Sequence, residues 1–600
     1  MFEKRAVVYD GLDCMADMKD PKYTQLTMMS QNEISWESQA DYAKYTVYFG
    51  VVIIFISFLK HLYYRIRDYR YKSILVETTT KSTNTIFSLI DVLISYCRFV
   101  GYKQTPNYVQ YWLSFPKSIG STLFMMISIL YLSCYCFVPH FWYRQCAGFG
   151  SPPLAIRAGM MSTALVPFTY VLSGKSNVIS MLTGISYEKL NVFHQFVGVA
   201  SFILGVVHTI PFVYQTKIEG GTSLLREYFT TDSYFVSGIP TLILMGLLCT
   251  LSKDWFRKHV YEIFWHLHWM MGIAFFGCLI WHIDYALGAQ NYMWGALAFW
   301  ATQLIYRILI KTCFRPNIMF LRSREATLSK VDDNTFELFI ENVSDYKWKP
   351  GQHCYLRFKG LRILDNHPFS ISSCSETHSG MKFLIVAKNG ITKSQHKELN
   401  KNITMKKKVY IDGPYGGTFR DVNKFEKLVL LASGTGVTAT IPFLTYMAQQ
   451  HQLNTPESQN LKCINFIWVV RNEKDISWVS EELINCKKIL GSKLQIDIRV
   501  VEFEKELSEM DKSADFEKSV TESFNFTELP INYGKPNIPQ ILTNLQSSLS
   551  IRNIFICSGS KSMQAQVSSK ISKFQGLIFN NDLRNTDVEE IYLHNESFGW

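Results

Sequence analysis

Two apolar segments of this 600-residue chain each carry a pair of histidines fourteen residues apart: His194 and His208 on one, His268 and His282 on the other. On an α-helix that spacing is roughly 3.9 turns and about 21 Å of rise, so both members of a pair point the same way. Two such helices side by side would oppose the histidines as two cross-helix pairs, stacked within a bilayer core of about 30 Å. Ionisable side chains inside a bilayer are costly and mark function by default. Imidazole is also a standard axial ligand of haem iron. The spacing therefore predicts two bis-histidine haem sites and electron movement through a membrane. A lone histidine in an apolar helix is usually a packed residue with one hydrogen bond, but two pairs at one spacing are harder to explain that way. His266 falls about 200° around the helix from His268 and is read as packing. His259 and His140 have no matched partner.

Six hundred residues exceed one domain. Hydrophobic residues make up 48% of the chain and charged residues only 18%, which fits a membrane protein carrying a soluble part. Apolar stretches predict about seven spans, near Tyr45–Leu59, Ser118–Val138, Gly159–Leu172, Val192–Val213, Phe235–Leu251, Tyr261–His282 and Tyr292–Ile310. The net charge of +11 reports topology rather than nucleic-acid binding. Lys60, Arg65, Arg67 and Arg70 follow the first span, Lys253, Arg257 and Lys258 the fifth, and Arg307, Lys311 and Arg315 the seventh. With alternating spans these clusters share one side, and basic loops stay cytoplasmic. The N-terminus is then exterior and the C-terminal half cytosolic. His194 and His268 lie toward the cytosol, His208 and His282 toward the exterior, so the pairs match by depth.

Residues 1–44 lack the apolar core of a signal peptide, so the first span is expected to act as an uncleaved anchor. Sequons begin at Asn342, Asn402, Asn525 and Asn595, all in the expected cytosolic part, and should be unused. The thirteen cysteines show no metal spacing, and Cys134 and Cys136 read as core residues. Cys14 and Cys146 both fall outside on this topology. There a disulfide could fasten the tail over the outer histidine pair, or the two could be unrelated thiols.

From about Phe320 the chain changes to short strands and helices with Gly and Pro punctuation. Lys349-Pro350-Gly351-Gln352-His353 precedes a strand-like run, and His367, Pro368, Phe369, Ser370, Ile371, Ser372 and Ser373 follow. There proline fixes φ, phenylalanine offers a flat apolar face, and hydroxyls can donate to a flavin or a phosphate. Next comes Asp412-Gly413-Pro414-Tyr415-Gly416-Gly417. A strand at Leu428–Ala432 then runs into Ser433, Gly434, Thr435, Gly436 and Val437, followed by a helical stretch with Pro442 inside it. A glycine turn between strand and helix sets backbone N–H groups and a helix N-terminus against phosphate. Arg471 ends the strand Phe466–Val470, a place suited to a 2′-phosphate, although a solvated arginine is an equal reading. A last strand leads into Cys557, Ser558 and Gly559, and Phe598 could cover a flavin face. Glu502 to about Glu528 is charge-rich and aperiodic and reads as a loop, part of a polar insertion near 502–547.

Taken together, the four-histidine array, His367–Ser373, Gly413–Gly416, Ser433–Val437, Arg471, Cys557–Gly559 and the terminal Glu596–Trp600 resemble the fungal metalloreductases, the ferric/cupric-chelate reductases. The likeness runs from about residue 45 to Trp600. It implies a multidomain protein: an exterior tail (1–44), an α-helical transmembrane dihaem bundle (45–314), a ferredoxin-reductase-like β-barrel FAD domain (315–425) and an α/β NADPH domain (426–600). By position, His367–Ser373 would hold FAD, with Phe598 shielding it. Gly413–Gly416, Ser433–Val437, Arg471 and Cys557–Gly559 would hold NADPH. Electrons would pass from NADPH through FAD and two b-type haems to exterior Fe³⁺ chelates or Cu²⁺, at the plasma membrane or a vacuolar one, with coupling to metal transporters. Such a relay needs no acid–base residue. The alternatives are a superoxide-generating NADPH oxidase and a non-enzymatic transporter with a regulatory C-terminal half. A signal peptide and a long extracellular segment, common in the family, are not expected here.

Overall fold

In the computed structural model the described residues are 8–9, 12–13 and 36–596, apart from 72–84, 107, 109, 111–114, 140–151, 309–322, 342, 344–345, 360–365, 376–379, 389, 456–459, 502–528 and 580–587. Cys14, Cys146 and Phe598 lie outside them. The chain divides into two compact units, residues 1–62 with 124–310 and residues 63–123 with 311–600. The first half is helical: α1 (Trp36–Arg70), α2 (Thr85–Gly101), α3 (Ile119–Phe137), α4 (Pro153–Ser173), α5 (Val178–Thr183), α6 (Tyr187–Thr231), α7 (Ser233–Leu251), α8 (Asp254–His259), α9 (Tyr261–Ile283) and α10 (Gln290–Ile305).

Six of these helices (α1, α3, α4, α6, α7 and α9) are long and apolar enough to cross a membrane, and each overlaps an expected span. The seventh expected stretch overlaps α10, which has 16 residues. In the first unit α4 packs on α6 and α10, and α7 on α6 and α9. α4 is buried along most of its length; the other apolar helices turn much of their surface outward, as lipid-facing helices do. Fully buried Arg157 on α4 is satisfied by Cys136 O at 2.7 and 2.9 Å and by Gln39 Oε1 at 2.9 Å. That pairing is what a charge in an apolar bundle requires.

The second unit carries two six-stranded sheets. β1 (Ser323–Lys330), β2 (Thr335–Ile340), β3 (Gln352–Phe358), β4 (His367–Ser370), β5 (Met381–Val386) and β6 (Thr404–Gly416) pair antiparallel in the order β4-β3-β6-β1-β2-β5. α11 (Ile391–Leu399) lies between β5 and β6 in the chain. The other sheet is all parallel. It comprises β7 (Lys427–Ser433), β8 (Cys463–Val470), β9 (Leu494–Val500), β10 (Ile531–Tyr533), β11 (Arg552–Ser558) and β12 (Glu590–Glu596), in the order β10-β9-β8-β7-β11-β12. Its central strands are near-continuous Val, Leu, Ile and Phe, as burial on both faces requires. One face meets α12 (Val437–Gln452) and α13 (Ser480–Leu490); the other meets α14 (Ile538–Leu545) and α15 (Lys561–Phe574). Within the stretch 502–547 expected as an insertion, β10 and α14 are regular elements of this sheet unit, and 502–528 lie outside the described residues.

Residues 63–123 fold with the sheets, whereas the expected boundaries set them in the transmembrane bundle. Their anchor is a buried ion network. Asp68, on the last turn of α1, takes two bonds from Arg420 (2.8 and 2.9 Å) and one from Arg552 (2.6 Å). Glu590, at the start of β12, binds the same two arginines at 2.6–3.2 Å. Burial alone would raise the Glu590 carboxyl, but Arg420, Arg552 and Arg67 hold it well below the usual carboxylate range.

Candidate functional site

The two histidine pairs form across α6 and α9. The ring centroids of His194 and His268 are 6.2 Å apart, and those of His208 and His282 are 5.9 Å apart. The two helices therefore run parallel, with the pairs stacked along them. A metal–imidazole bond is about 2.0–2.1 Å and a ring centroid lies roughly 1.1 Å behind its nitrogen, so one metal shared by two facing imidazoles sets the centroids roughly 6.3 Å apart. Both pairs have that spacing.

Each imidazole is held from behind. His194 Nδ1 lies 2.9 Å from Thr169 O and His208 Nδ1 2.7 Å from Ala155 O, both on α4. His282 Nδ1 is 3.1 Å from Tyr234 O and 3.2 Å from Ser237 Oγ. His268 Nδ1 is 3.1 Å from Ser252 Oγ, whose own hydrogen goes to Leu248 O. A carbonyl only accepts, and a hydroxyl that has donated accepts at its lone pair. All four rings therefore carry their hydrogen on Nδ1 and keep the Nε2 lone pair for a metal, the usual second-shell arrangement. Ala155 and Thr169 repeat the fourteen-residue spacing in antiparallel α4, a match visible only once the helices are paired.

Glycines shape the surroundings. A Cβ on Gly159 would fall 2.5 Å from His208 Nδ1, so only glycine lets that ring lie against α4. Gly198 and Gly272 each sit four residues after the first of the paired histidines of their helix, and the space where a Cβ would go is open at both. Donor set and tautomers fit a haem at each pair, and there is open room beside the His194–His268 pair. Among the described residues no group of three or more His, Cys, Asp or Glu could hold a metal ion.

In the second unit the parallel sheet supplies a ligand crevice. The chain leaves β7 toward β8 on one side, and β11 flanks β7 on the other, so the carboxyl ends of β7 and β11 mark a topological switch point. Gly434–Gly436 forms a single turn between β7 and α12. The turn interlocks with the end of β11: a Cβ on Gly436 would fall 2.2 Å from Ser558 O, and one on Gly559 (φ +146°) 2.0 Å from Ser433 Oγ. Ser433 Oγ instead accepts the Ser560 N–H at 2.8 Å. The Ser558 hydroxyl is buried with no hydrogen-bond partner among the described residues, which suits a ligand able to supply one. Arg471 is exposed, one residue beyond β8.

Three groups of expected site residues have their side chains engaged within the fold. Val437 and Cys557 point their side chains into the core, one on each face of the sheet. Burial pushes the Cys557 thiol up to about 12, so only the backbone of these two residues is offered to a ligand. Ser372 and Ser373 donate their hydroxyls to Lys382 O (2.9 Å) and Gly380 O (3.2 Å), bracing the corner between β4 and β5. Ile371 is likewise core. Gly413–Gly416 belongs to barrel strand β6, which pairs with β3, the neighbour of β4. The strand runs unbroken through Gly416, which pairs with Gln352, and the adjoining Gly351 packs on Phe443 of α12, so this end of β6 lies between the strand group of His367–Ser370 and the helix that opens the nucleotide crevice. Tyr415 is fixed there by its hydroxyl on Asp412, 2.5 Å away. His367, Pro368 and Phe369 are half-buried along β4, Ser370 is buried, and the Asn366 side-chain oxygen beside them is buried with no hydrogen-bond partner among the described residues. Apolar ring, strand edge and unspent acceptor fit a flavin there.

Comparison with known proteins agrees with this division. Residues 158–279 match the family described as ferric reductase like transmembrane component, 320–419 an FAD-binding domain, and 425–572 a ferric reductase NAD binding domain. The chain is 34% identical over 636 residues to ferric/cupric reductase transmembrane component 7 of Saccharomyces cerevisiae, covering all of both chains. It is 30% identical over 427 residues to the probable cell surface ferric reductase kap2 of Aspergillus oryzae, covering 68% of this chain and 56% of that one. Among solved structures, ferredoxin-NADP+ reductase from Plasmodium falciparum aligns at 17% identity and a TM-score of 0.30, over 46% of this chain and 96% of that one. By its three matching domains and its full-length relative, the chain belongs to the ferric reductase family.

Proposed function

We propose that the chain is a transmembrane NADPH-dependent reductase of Fe³⁺ chelates or Cu²⁺. The observation that carries this reading is the pair of stacked cross-helix imidazole couples, each with Nδ1 already committed. When bound, FAD takes a hydride's two electrons from NADPH and releases them singly, and haem iron relays single electrons across the bundle. His194 with His268 would hold the inner haem, and His208 with His282 the outer one. Thr169, Ala155, Tyr234, Ser237 and Ser252 keep those rings from rotating, which fixes the ligand field during each electron step.

In the second unit Gly434–Gly436 and the N-terminus of α12 would take the pyrophosphate, with Ser558 and Gly559 lining the opposite wall. Arg471 would read the 2′-phosphate. Phe369 and the strand pair β4–β3 would seat the flavin, with Gly413–Gly416 on the nucleotide side. No proton is exchanged with a metal substrate, so no acid–base group is called for. The basic clusters after the first, fifth and seventh apolar stretches support a cytosolic second unit, with α10 as a seventh span and the metal outside. The plasma membrane is the favoured location.

The test is NADPH-driven reduction of Fe³⁺ and Cu²⁺ chelates by membranes containing the protein, with oxygen uptake followed in parallel. Chelate reduction with little oxygen uptake is expected. Stoichiometric oxygen uptake unaffected by chelate would make the chain an oxidase instead.

A further inference from the structure

Helix α2 has two faces in different company. On one, Ser95 is 1% exposed and its hydroxyl meets the backbone and side-chain oxygens of Gln575, both at 3.0 Å. Arg98 donates to Ile591 O at 3.0 Å, and Phe99 O accepts from the Ser572 hydroxyl. On the other, Leu89, Leu93 and Tyr96 recur at i, i+4 and i+7 and are 65%, 63% and 56% exposed. Tyr96 keeps one ring edge on Phe579, with centroids 5.8 Å apart. A continuous apolar stripe is not what a helix shows to water.

The two ends of α2 say what lies over the stripe. In its second turn, Asp91 accepts from the Tyr63 hydroxyl at 2.8 Å and from Arg67 at 2.5 Å. Both donors sit in the last turns of α1, an apolar helix of membrane-crossing length. At its end, Gly101 lies against Gly120 in the first turn of α3, the next such helix. A Cβ on Gly120 would fall 2.9 Å from the Gly101 Cα. Ile119 N donates to Lys103 O and Thr105 N to Lys117 O, both at 2.8 Å. α2 is thus clamped between the end of one apolar helix and the beginning of the next.

We propose that α2 is an interfacial helix whose Leu89–Leu93–Tyr96 stripe sinks into the boundary between headgroups and acyl chains. The occupant of its open face is the lipid bilayer. α2 then seats the flavin- and nucleotide-binding unit on the membrane through one face while gripping it with the other. This rests on the reading that α1 and α3 cross the membrane.

The full-length protein, with its other reactive cysteines replaced, is spin-labelled through Leu89→Cys, Leu93→Cys or Tyr96→Cys in nanodiscs of phosphatidylcholine and phosphatidylserine. A label through Leu130→Cys in α3, at a 64% exposed position, serves as the lipid reference. A label through Lys406→Cys, at a side chain 70% exposed on the barrel, serves as the water reference. Collision with O₂ relative to a water-soluble nickel chelate is expected to be several-fold higher at the three α2 positions than at 406, and to approach that at 130. Water-like ratios on α2 with a lipid-like 130 overturn the proposal and leave the spans standing. Shielding from both reagents overturns it in favour of a protein cover. A water-like 130 overturns the span reading itself. Because labelling alters the helix, a photoreactive probe confined to the bilayer is also applied to the unsubstituted protein. Labelled residues within 85–101 are expected, and their absence overturns the proposal.

Discussion

The helix bundle and the nucleotide sheet build their sites in opposite ways. In the bundle, each helix brings two ligands to one face by its own period, and the partner helix has only to run alongside. His194 and His208 need nothing from distant sequence to point the same way. In the sheet, Ser433 and Ser560 are 127 positions apart and meet by a 2.8 Å hydrogen bond, and the crevice exists only because strand order brings β7 beside β11. Local period writes the first site; topology writes the second. Single substitutions should therefore be clean and separable in the bundle, whereas in the second unit their effects should depend on whether they touch ligand or framework.

The largest effect is expected in the bundle. His208→Leu or His282→Leu should bring exterior metal reduction to background while flavin reduction by NADPH continues at the wild-type rate, followed by stopped-flow absorbance. Loss of both activities together would mean that the pairs are structural and the two regions are not separable. Next comes the framework of the second unit. Asp68→Ala leaves Arg420 and Arg552 facing each other with one carboxylate fewer, and removing one partner of a buried pair costs about 3–5 kcal/mol. Thermal or proteolytic unfolding of the full-length protein reads this directly.

The same network sets a pH limit. Because Glu590 is held below its unfolded pKa, its stabilisation is complete above that ordinary value and is lost as pH falls through the depressed one. Unfolding of the second unit should therefore be insensitive to this group from neutral pH down to about 5 and should ease only in stronger acid. Stability declining already between pH 8 and 6 would point to another group.

A smaller, selective effect is expected at the crevice. Arg471→Ala should raise KM for NADPH about tenfold or more and leave NADH nearly unchanged, since a hydrogen bond to a charged group contributes about 1.5–3 kcal/mol. Equal changes for both nucleotides would remove Arg471 from 2′-phosphate recognition. The smallest effect belongs to Ser372→Ala, which loses a bond to Lys382 O. About 1 kcal/mol of stability should go, with FAD affinity unchanged by fluorescence titration. Weaker flavin binding out of proportion to that loss would return Ser372 to the flavin site.

The histidines and all six long apolar helices were legible because hydropathy and the 3.6-residue period are local. The glycine turn after β7 was legible because strand, turn and helix follow in order. What escaped was non-local. Nothing in the basic run after the first span marks Asp68, yet it meets Arg420 and Arg552, hundreds of residues away, in a buried knot. Ser372 and Ser373 carried the right chemistry for a cofactor, but backbone carbonyls of the neighbouring strand reach them first. Cys557 sat in the right motif, but strand alternation turned it inward. Ala155 and Thr169 contribute only carbonyl oxygens, which no side-chain pattern reveals, although their spacing copies that of the histidines they hold.

Haem content per polypeptide, measured on purified protein with low-temperature EPR of the oxidised state, tests the bis-histidine assignment most directly. Two low-spin haems per chain are expected in the wild type. One should remain in His208→Leu and one in His268→Leu, with different signals surviving in the two variants. A single haem in the wild type, or two retained in either variant, would contradict the assignment of one haem to each cross-helix pair.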